Sequence, residues 1–172
     1  MHRLLPYTVL LVATLLVQVF LLDNLTISIY FAPMIYFALV LLLPLETPAI
    51  GVLAAGAATG WLMDYAMGTD GLNLIATLPV AFLRPWLAGL FYTRDDLREG
   101  GLPSADRFGR GKFFRYIACC VLLHHAIFFS FEALSWLYLG RTLLRIAVSS
   151  TVSVYLLWLT ARLFTLKATA RV

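Results

Sequence analysis

Apolar residues form long runs along this chain, separated by short polar stretches. A straight helix needs about 20 apolar residues to cross the hydrocarbon core of a bilayer, and most of the runs reach that length. The pattern predicts six spans in one polytopic domain, residues 1–172, with a polar loop at 93–112. The predicted spans cover approximately residues 4–22, 30–43, 49–66, 72–92, 113–137 and 143–166. The expected fold is an all-α integral membrane bundle.

The composition supports a membrane setting. Hydrophobic residues make up 62% of the chain and the mean hydropathy is +0.88, which leaves too little polar surface to cover a water-soluble globule. A nucleic-acid-binding domain would show a basic stripe on a polar surface, and this sequence has none. Cys119 and Cys120 lie inside an apolar run, which favours buried hydrophobic side chains over a disulfide or redox pair.

The distribution of basic residues predicts the orientation. Six spans place both termini on one side, and cytoplasmic segments are enriched in Lys and Arg. The side opposite the termini carries only Arg141 and Arg145. The side of the termini and of loop 93–112 carries Arg3, Arg94, Arg98, Arg107, Arg110, Lys112, Arg115, Arg162, Lys167 and Arg171. Both termini are therefore expected in the cytoplasm.

The third predicted span ends in the most distinctive stretch of the sequence. Glycines and an aspartate recur there at intervals of four, so they share one helix face. Small residues let another backbone approach closely, and a carboxylate at the end of the face bridges to a partner or holds the following turn. The candidate helix-packing and partner-binding residues are Gly56, Gly60, Asp64, Gly68, Gly71 and Asn73.

Charged residues in the later spans predict a polar network. Glu132 and Arg145 flank a tight turn at Gly140, so antiparallel packing should bring them within reach of each other. Because a charge facing lipid costs several kcal/mol, we expect Asp64, Asn73, Glu132 and Arg145 to form an outer-leaflet network. The alternative is that Glu132 and Arg145 only join one hairpin.

Two further sites carry polar side chains at membrane depth. His124 and His125 are interpreted as hydrogen-bonded interhelical residues of the same buried network, in preference to a proton relay or a metal site. Arg84 precedes Pro85 in the fourth span, where it either extends to the cytoplasmic face or caps a carbonyl freed by the proline. No metal or cofactor site is predicted.

Catalytic motifs are absent from the sequence. It contains no Gly-x-Ser-x-Gly elbow, no His-Glu-x-x-His and no phosphate-binding glycine loop with its lysine. Ser149 and Ser153 share a face with Arg145, and small-polar helix packing accounts for them. The chain is not expected to be an enzyme.

The stretch Gly60-Trp61-Leu62-Met63-Asp64, followed by Gly68, Gly71 and Asn73, resembles the rod shape-determining protein MreD family. Leu83-Arg84-Pro85-Trp86, the histidine pair and Glu132 resemble its Bacteroidetes-type branch. The resemblance implies a non-enzymatic scaffold of the cell-elongation machinery in the bacterial inner membrane, acting in lateral peptidoglycan synthesis. It also implies an MreC-like bitopic partner and, through it, an MreB-like filament and a RodA/penicillin-binding-protein synthase.

The family's fold is similar to that of the substrate-binding subunits (S-components) of energy-coupling-factor transporters. This similarity supplies an alternative function, the binding of a vitamin or small polar solute in an outer pocket lined by Asp64, Asn73 and Glu132. A transporter subunit is expected to contain a closed cavity for its ligand, whereas a scaffold is expected to have a filled outer leaflet and an exposed groove.

Overall fold

A computed structural model describes residues 5–25, 28–133 and 139–169. Most of these residues are helical, and none of them forms a strand. The helices are α1 (Leu5–Val17), continued by a π-helical turn (Gln18–Leu22), α2 (Ala38–Leu42), α3 (Ala49–Met67), α4 (Leu72–Phe91), α5 (Arg94–Glu99), α6 (Ala105–Phe108), α7 (Arg110–Ala133) and α8 (Leu139–Thr169).

Four helices of the described chain are long and apolar enough to cross a membrane: Leu5–Leu22, Leu72–Phe91, Arg110–Ala133 and Leu139–Thr165. The fifth and sixth predicted spans therefore begin earlier than expected, at Arg110 and Leu139. The predicted end of the fifth span, residues 134–137, lies outside the described residues. α3 has 19 residues but is not among the four.

The second predicted span, 30–43, is wrong as a continuous helix, because only Ala38–Leu42 are helical. Pro33 lacks a backbone N–H and disfavours the helical conformation in the residue before it, so it works against a helix that begins at residue 30. A straight helix of residues 30–43 would also reach only about 21 Å, less than the roughly 30 Å of hydrocarbon. Residues 33–42 are nevertheless all buried.

Residues 28–47, which we call the central segment, extend between the two ends of the bundle. Near one end, Tyr30 lines a pocket together with Glu132. At the other, Leu45 donates its N–H to the carbonyl of Gly101, between α5 and α6, at 2.9 Å. We call these the Glu132 end and the α5–α6 end. α2, the helical part of the segment, contacts α1, α3, α4 and α8.

The long helices pack in sequential pairs around this segment. α3 packs on α4, α4 on α7, and α7 on α8. Near the start of α1, Tyr7 contacts Phe164 of α8 with ring centroids 5.6 Å apart. Large apolar side chains such as Phe20 and Phe82 are exposed on the outside, as expected for a surface that faces lipid.

The glycine face of α3 packs against α4 of the same chain. A Cβ added at Gly56 would lie 2.7 Å from the Cβ of Ala81, and one at Gly60 would lie 2.7 Å from the Cα of Leu74. Both glycines are buried. The close helix approach expected for this face therefore occurs within the chain, and the face is not open to a partner helix.

Gly60→Ala is expected to destabilise the protein by about 1–3 kcal/mol, because the new methyl group meets backbone atoms that cannot move without separating α3 from α4. The measurement is the thermal midpoint of the purified protein in detergent. Gly89→Ala is the matched control, since a Cβ there meets no heavy atom within 4 Å. Equal midpoints for the two variants would contradict the proposed close approach.

Candidate functional site

The carboxylate of Asp64 holds the corner between α3 and α4. Its Oδ1 accepts hydrogen bonds from the hydroxyl of Thr69 (2.6 Å) and from the backbone N and Nδ2 of Asn73 (both 2.9 Å). Its Oδ2 accepts from the backbone N of Leu74 at 2.9 Å. Two of these donors are N–H groups of the first turn of α4, which have no acceptor within the helix itself. The helix dipole also favours a negative charge at this position. The side chain is therefore an internal cap.

The glycine turn makes this cap possible. Gly68 ends α3 with φ 65° and Gly71 precedes α4 with φ 87°, both in the left-handed region that glycine adopts without strain. The side chain of Asn73 also donates to the Thr69 hydroxyl at 2.9 Å. The predicted residues Asp64, Gly68, Gly71 and Asn73 thus form one corner, and their bonds stay within the chain.

Gln18, in the π-helical turn after α1, supplies hydrogen bonds to the unwound part of the central segment. Its Oε1 accepts from the backbone N of Ile35 at 2.7 Å, and its Nε2 donates to the carbonyl of Pro33 at 3.1 Å. Nε2 also donates to Asp23 at 2.8 Å. The side chain is fully buried. One amide therefore replaces two backbone bonds that a helix would have made.

Two serines of α8 hold the same segment from the other side. Ser149 accepts from the N–H of Ala32 and donates to the carbonyl of Tyr30, each at 3.1 Å. Ser153 accepts from the N–H of Met34 at 2.8 Å and lies 3.1 Å from Nε2 of His125. The sequence indicated small-polar packing for both serines, and the structure assigns them specific backbone partners.

His125 of α7 contacts Ser153 of α8. Nδ1 of His125 lies 3.0 Å from the carbonyl of Val121, so this nitrogen carries the proton and Nε2 accepts from the serine hydroxyl. Among the residues that the structure describes, no carboxylate contacts the ring, and both side chains are completely buried. The pair fixes the N–H of Met34.

His124 joins the central segment to α4. Its Nε2 lies 2.7 Å from the hydroxyl of Tyr36, which is 3.2 Å from the hydroxyl of Thr77. Thr77 donates to the carbonyl of Asn73 at 2.7 Å, so the contacts lead from the histidine to the Asp64 corner. Nδ1 of His124 is buried without a partner. Protonation at Nε2 is favoured, because an unpaired acceptor costs less than an unpaired N–H.

Arg84 closes the central segment at its α5–α6 end. It is 2% exposed and donates to the carbonyls of Leu43 and Pro44. Its Nε donates to the hydroxyl of Tyr116 at 3.2 Å. Of the two roles expected for Arg84, the structure shows the capping of carbonyl groups. The capped carbonyls belong to the central segment, however, and not to the helix turn before Pro85. α4 continues as a helix through that proline.

Glu132 and Arg145 form a separate pair. Nη1 of Arg145 lies 2.5 Å from Oε2 of Glu132, and the guanidinium lies over the ring of Phe129 at 4.7 Å. Within the described residues, no hydrogen bond connects this pair to Asp64 or Asn73. The expected four-residue network therefore forms as two groups, because the hairpin of α7 and α8 and the corner of α3 and α4 are separate elements.

A groove and a smaller pocket open on the described part of the molecule. A groove of about 870 Å³ between α7 and α8 is lined almost entirely by apolar groups. A smaller pocket of about 340 Å³ lies at the Glu132 end, beside Tyr30 and Arg145. Both are open to the surface, and Asp64 and Asn73 line neither. The described residues contain no cluster of three or more potential metal ligands.

Two carboxyl groups outside the spanning helices have shifted pKa values. Burial raises the pKa of Asp23, and the hydrogen bond from Gln18 opposes the shift. The backbone and side chain of Thr93, which form a capping box at the start of α5, lower the pKa of Asp96. Both effects are local to helix ends.

No protein-family model, curated protein or solved structure matches the chain.

Asp64→Asn is expected to lower the free energy of unfolding by about 1.5–3 kcal/mol, the usual contribution of hydrogen bonds to a charged group. The substitution replaces one acceptor oxygen of Asp64 by an NH₂ group, which is a donor and cannot accept from Asn73 or Leu74. At least one hydrogen bond is therefore lost. Chemical denaturation in detergent measures the change. Asp70→Asn, at an exposed position in the same turn, is the control, and an equal effect there would contradict the role of the cap.

Gln18→Met keeps the side-chain volume but leaves the N–H of Ile35 and the carbonyl of Pro33 unpaired. Each buried unpaired group costs about 1–3 kcal/mol, so we expect a clear loss of stability and faster hydrogen exchange at Ile35. Thr160→Val is the control, because that hydroxyl bonds only to its own helix, at Leu156. Unchanged exchange at Ile35 in the Gln18 variant would contradict the assignment.

Proposed function

We propose that the protein is a non-enzymatic inner-membrane scaffold of the bacterial cell-elongation machinery, the function implied by the MreD resemblance. The observation that carries the proposal is the use of the buried polar side chains. Asp64, Gln18, Ser153 and Arg84 all bind backbone groups of the same chain, so these buried side chains support the fold. Function is then exerted at the perimeter of the bundle.

The proposed topology has both termini in the cytoplasm. The contact between Tyr7 and Phe164 supports termini on one side, and the excess of Lys and Arg near the termini and in loop 93–112 supports a cytoplasmic location for that side. The four apolar helices, together with α3 and the central segment, make up six crossings in this proposal.

The exposed face of α3 is the proposed contact surface for the MreC-like partner. This face carries the small residues Ala54 and Ala58, followed by Trp61 and Tyr65, whose rings stack with centroids 6.0 Å apart. Trp61 is 60% exposed and Tyr65 is 81% exposed. Small residues allow close approach of a second helix, and aromatic residues are enriched among the residues that dominate interface energy.

The alternative, a solute-binding transporter subunit, rests on the pocket beside Tyr30 and Arg145. Its volume of about 340 Å³ lies at the lower limit of about 300 Å³ for small-molecule sites. The pocket is open, and of the three residues expected to line it only Glu132 does so. The exposed groove between α7 and α8 is one feature expected of a scaffold, whereas the closed cavity expected of a transporter subunit is not seen among the described residues.

Ala58→Leu is expected to reduce co-purification of the MreC-like partner by about tenfold, equivalent to about 1.4 kcal/mol, because the larger side chain prevents close helix approach. Cells carrying it should lose rod shape. The measurement is quantitative recovery of the partner with the tagged protein from native membranes, together with cell width.

Ala13→Leu is the matched control. It makes the same change at an exposed position of α1, so insertion and stability should match those of the Ala58 variant. Normal partner recovery by Ala58→Leu would exclude α3 as the contact surface. Absence of any elongation protein from the wild-type preparation would contradict the scaffold function itself.

A further inference from the structure

The groove between α7 and α8 has the length of one bilayer leaflet. On α7 it extends from Arg110 to Leu122, and on α8 from Ala147 to Trp158. At 1.5 Å per residue these stretches are about 18 and 17 Å long. One leaflet contributes about half of the roughly 30 Å hydrocarbon core. A partner helix that crossed the bilayer would need a groove nearly twice as long.

One end of the groove is cationic and the rest is apolar. Arg110 lines the groove at its α5–α6 end, and Arg162 lies over the ring of Trp158 at 5.0 Å, beside the same end. Both arginines are exposed, and in the described part of the chain neither lies within ion-pair distance of a carboxylate. Lys112, on the first turn of α7 at this end, is paired with Asp96 at 3.2 Å.

We propose that this groove binds an anionic phospholipid, with its acyl chains between α7 and α8 and its phosphodiester at Arg110 and Arg162. Basic pockets between spanning helices recognise anionic headgroups, and each guanidinium offers several donors to phosphate oxygens. The volume of about 870 Å³ lies within the range of ligand sites. The site is separate from the exposed face of α3 and does not depend on the proposed scaffold function.

The test uses the full-length purified protein and native mass spectrometry with added phosphatidylglycerol or phosphatidylcholine of identical acyl chains. The wild type is expected to retain phosphatidylglycerol preferentially. The double variant Arg110→Gln/Arg162→Gln should reduce that preference by about tenfold. Arg98→Gln, an exposed cation of α5 at the same end, is the control and should have no effect. Equal retention of the two lipids by the wild type, or equal preference in the double variant and the control, overturns the proposal.

Ala147→Trp tests the position of the acyl chains. This exposed residue lines the groove, so the indole should fill the space and reduce retention of phosphatidylglycerol. Unchanged retention overturns the proposal. If this variant loses a copurifying membrane protein while its lipid retention is unchanged, the groove binds a partner helix and the proposal is also overturned.

Ser150→Ala distinguishes an acyl chain from a polar occupant. The hydroxyl of Ser150 is buried beside the groove and has no hydrogen-bond partner among the described residues. An acyl chain offers it none, so retention of phosphatidylglycerol should be unchanged. A several-fold loss in this variant would indicate a polar group at that depth and would contradict the proposed lipid.

Discussion

The structure depends on one constraint, that backbone N–H and C=O groups inside a bilayer must find partners within the protein. A helix meets this requirement by itself, but the central segment is helical only over Ala38–Leu42. Several of its other backbone groups are bound by side chains of the surrounding helices: Gln18 after α1, Ser149 and Ser153 on α8 and Arg84 on α4. Tyr116 on α7 donates to the carbonyl of Leu41, in the last turn of α2. Non-helical backbone is tolerated here because residues 33–42 are buried within the protein.

The same constraint explains the chain's acidic corner. α3 and α4 meet at a turn whose first helical N–H groups have no backbone acceptor, and the carboxylate of Asp64 provides one. A charged residue in a spanning segment is often a functional residue, because its cost must be offset. Here four hydrogen-bond donors offset the cost of burying the Asp64 carboxylate. The glycines of the same stretch form the turn and set the distance between α3 and α4.

Sequence patterns predicted what is local and missed what is distant. The helix that ends near Asp64, the turn at Gly68–Gly71 and the pairing of Glu132 with Arg145 follow from short spacings, and the structure has all three. The helical prediction for 30–43 failed because hydropathy measures burial, and this segment is buried without being a helix. The bond between Ala32 and Ser149 joins residues 117 positions apart, a separation that no local pattern reveals. An isolated Gln18 in an apolar run was the one signal that a polar partner had to lie nearby.

The buried polar side chains of this bundle are bound within the chain, so binding surfaces are expected on its outside. Two stretches of the perimeter depart from uniform apolar exposure, in different ways. The outer face of α3 combines small residues with a stacked aromatic pair, features that suit a rigid helix. The groove of α7 and α8 is short, apolar and cationic at one end, features that suit an amphiphile with a charged head. Because different helices carry these faces, a partner protein and a lipid can bind without competing for one surface.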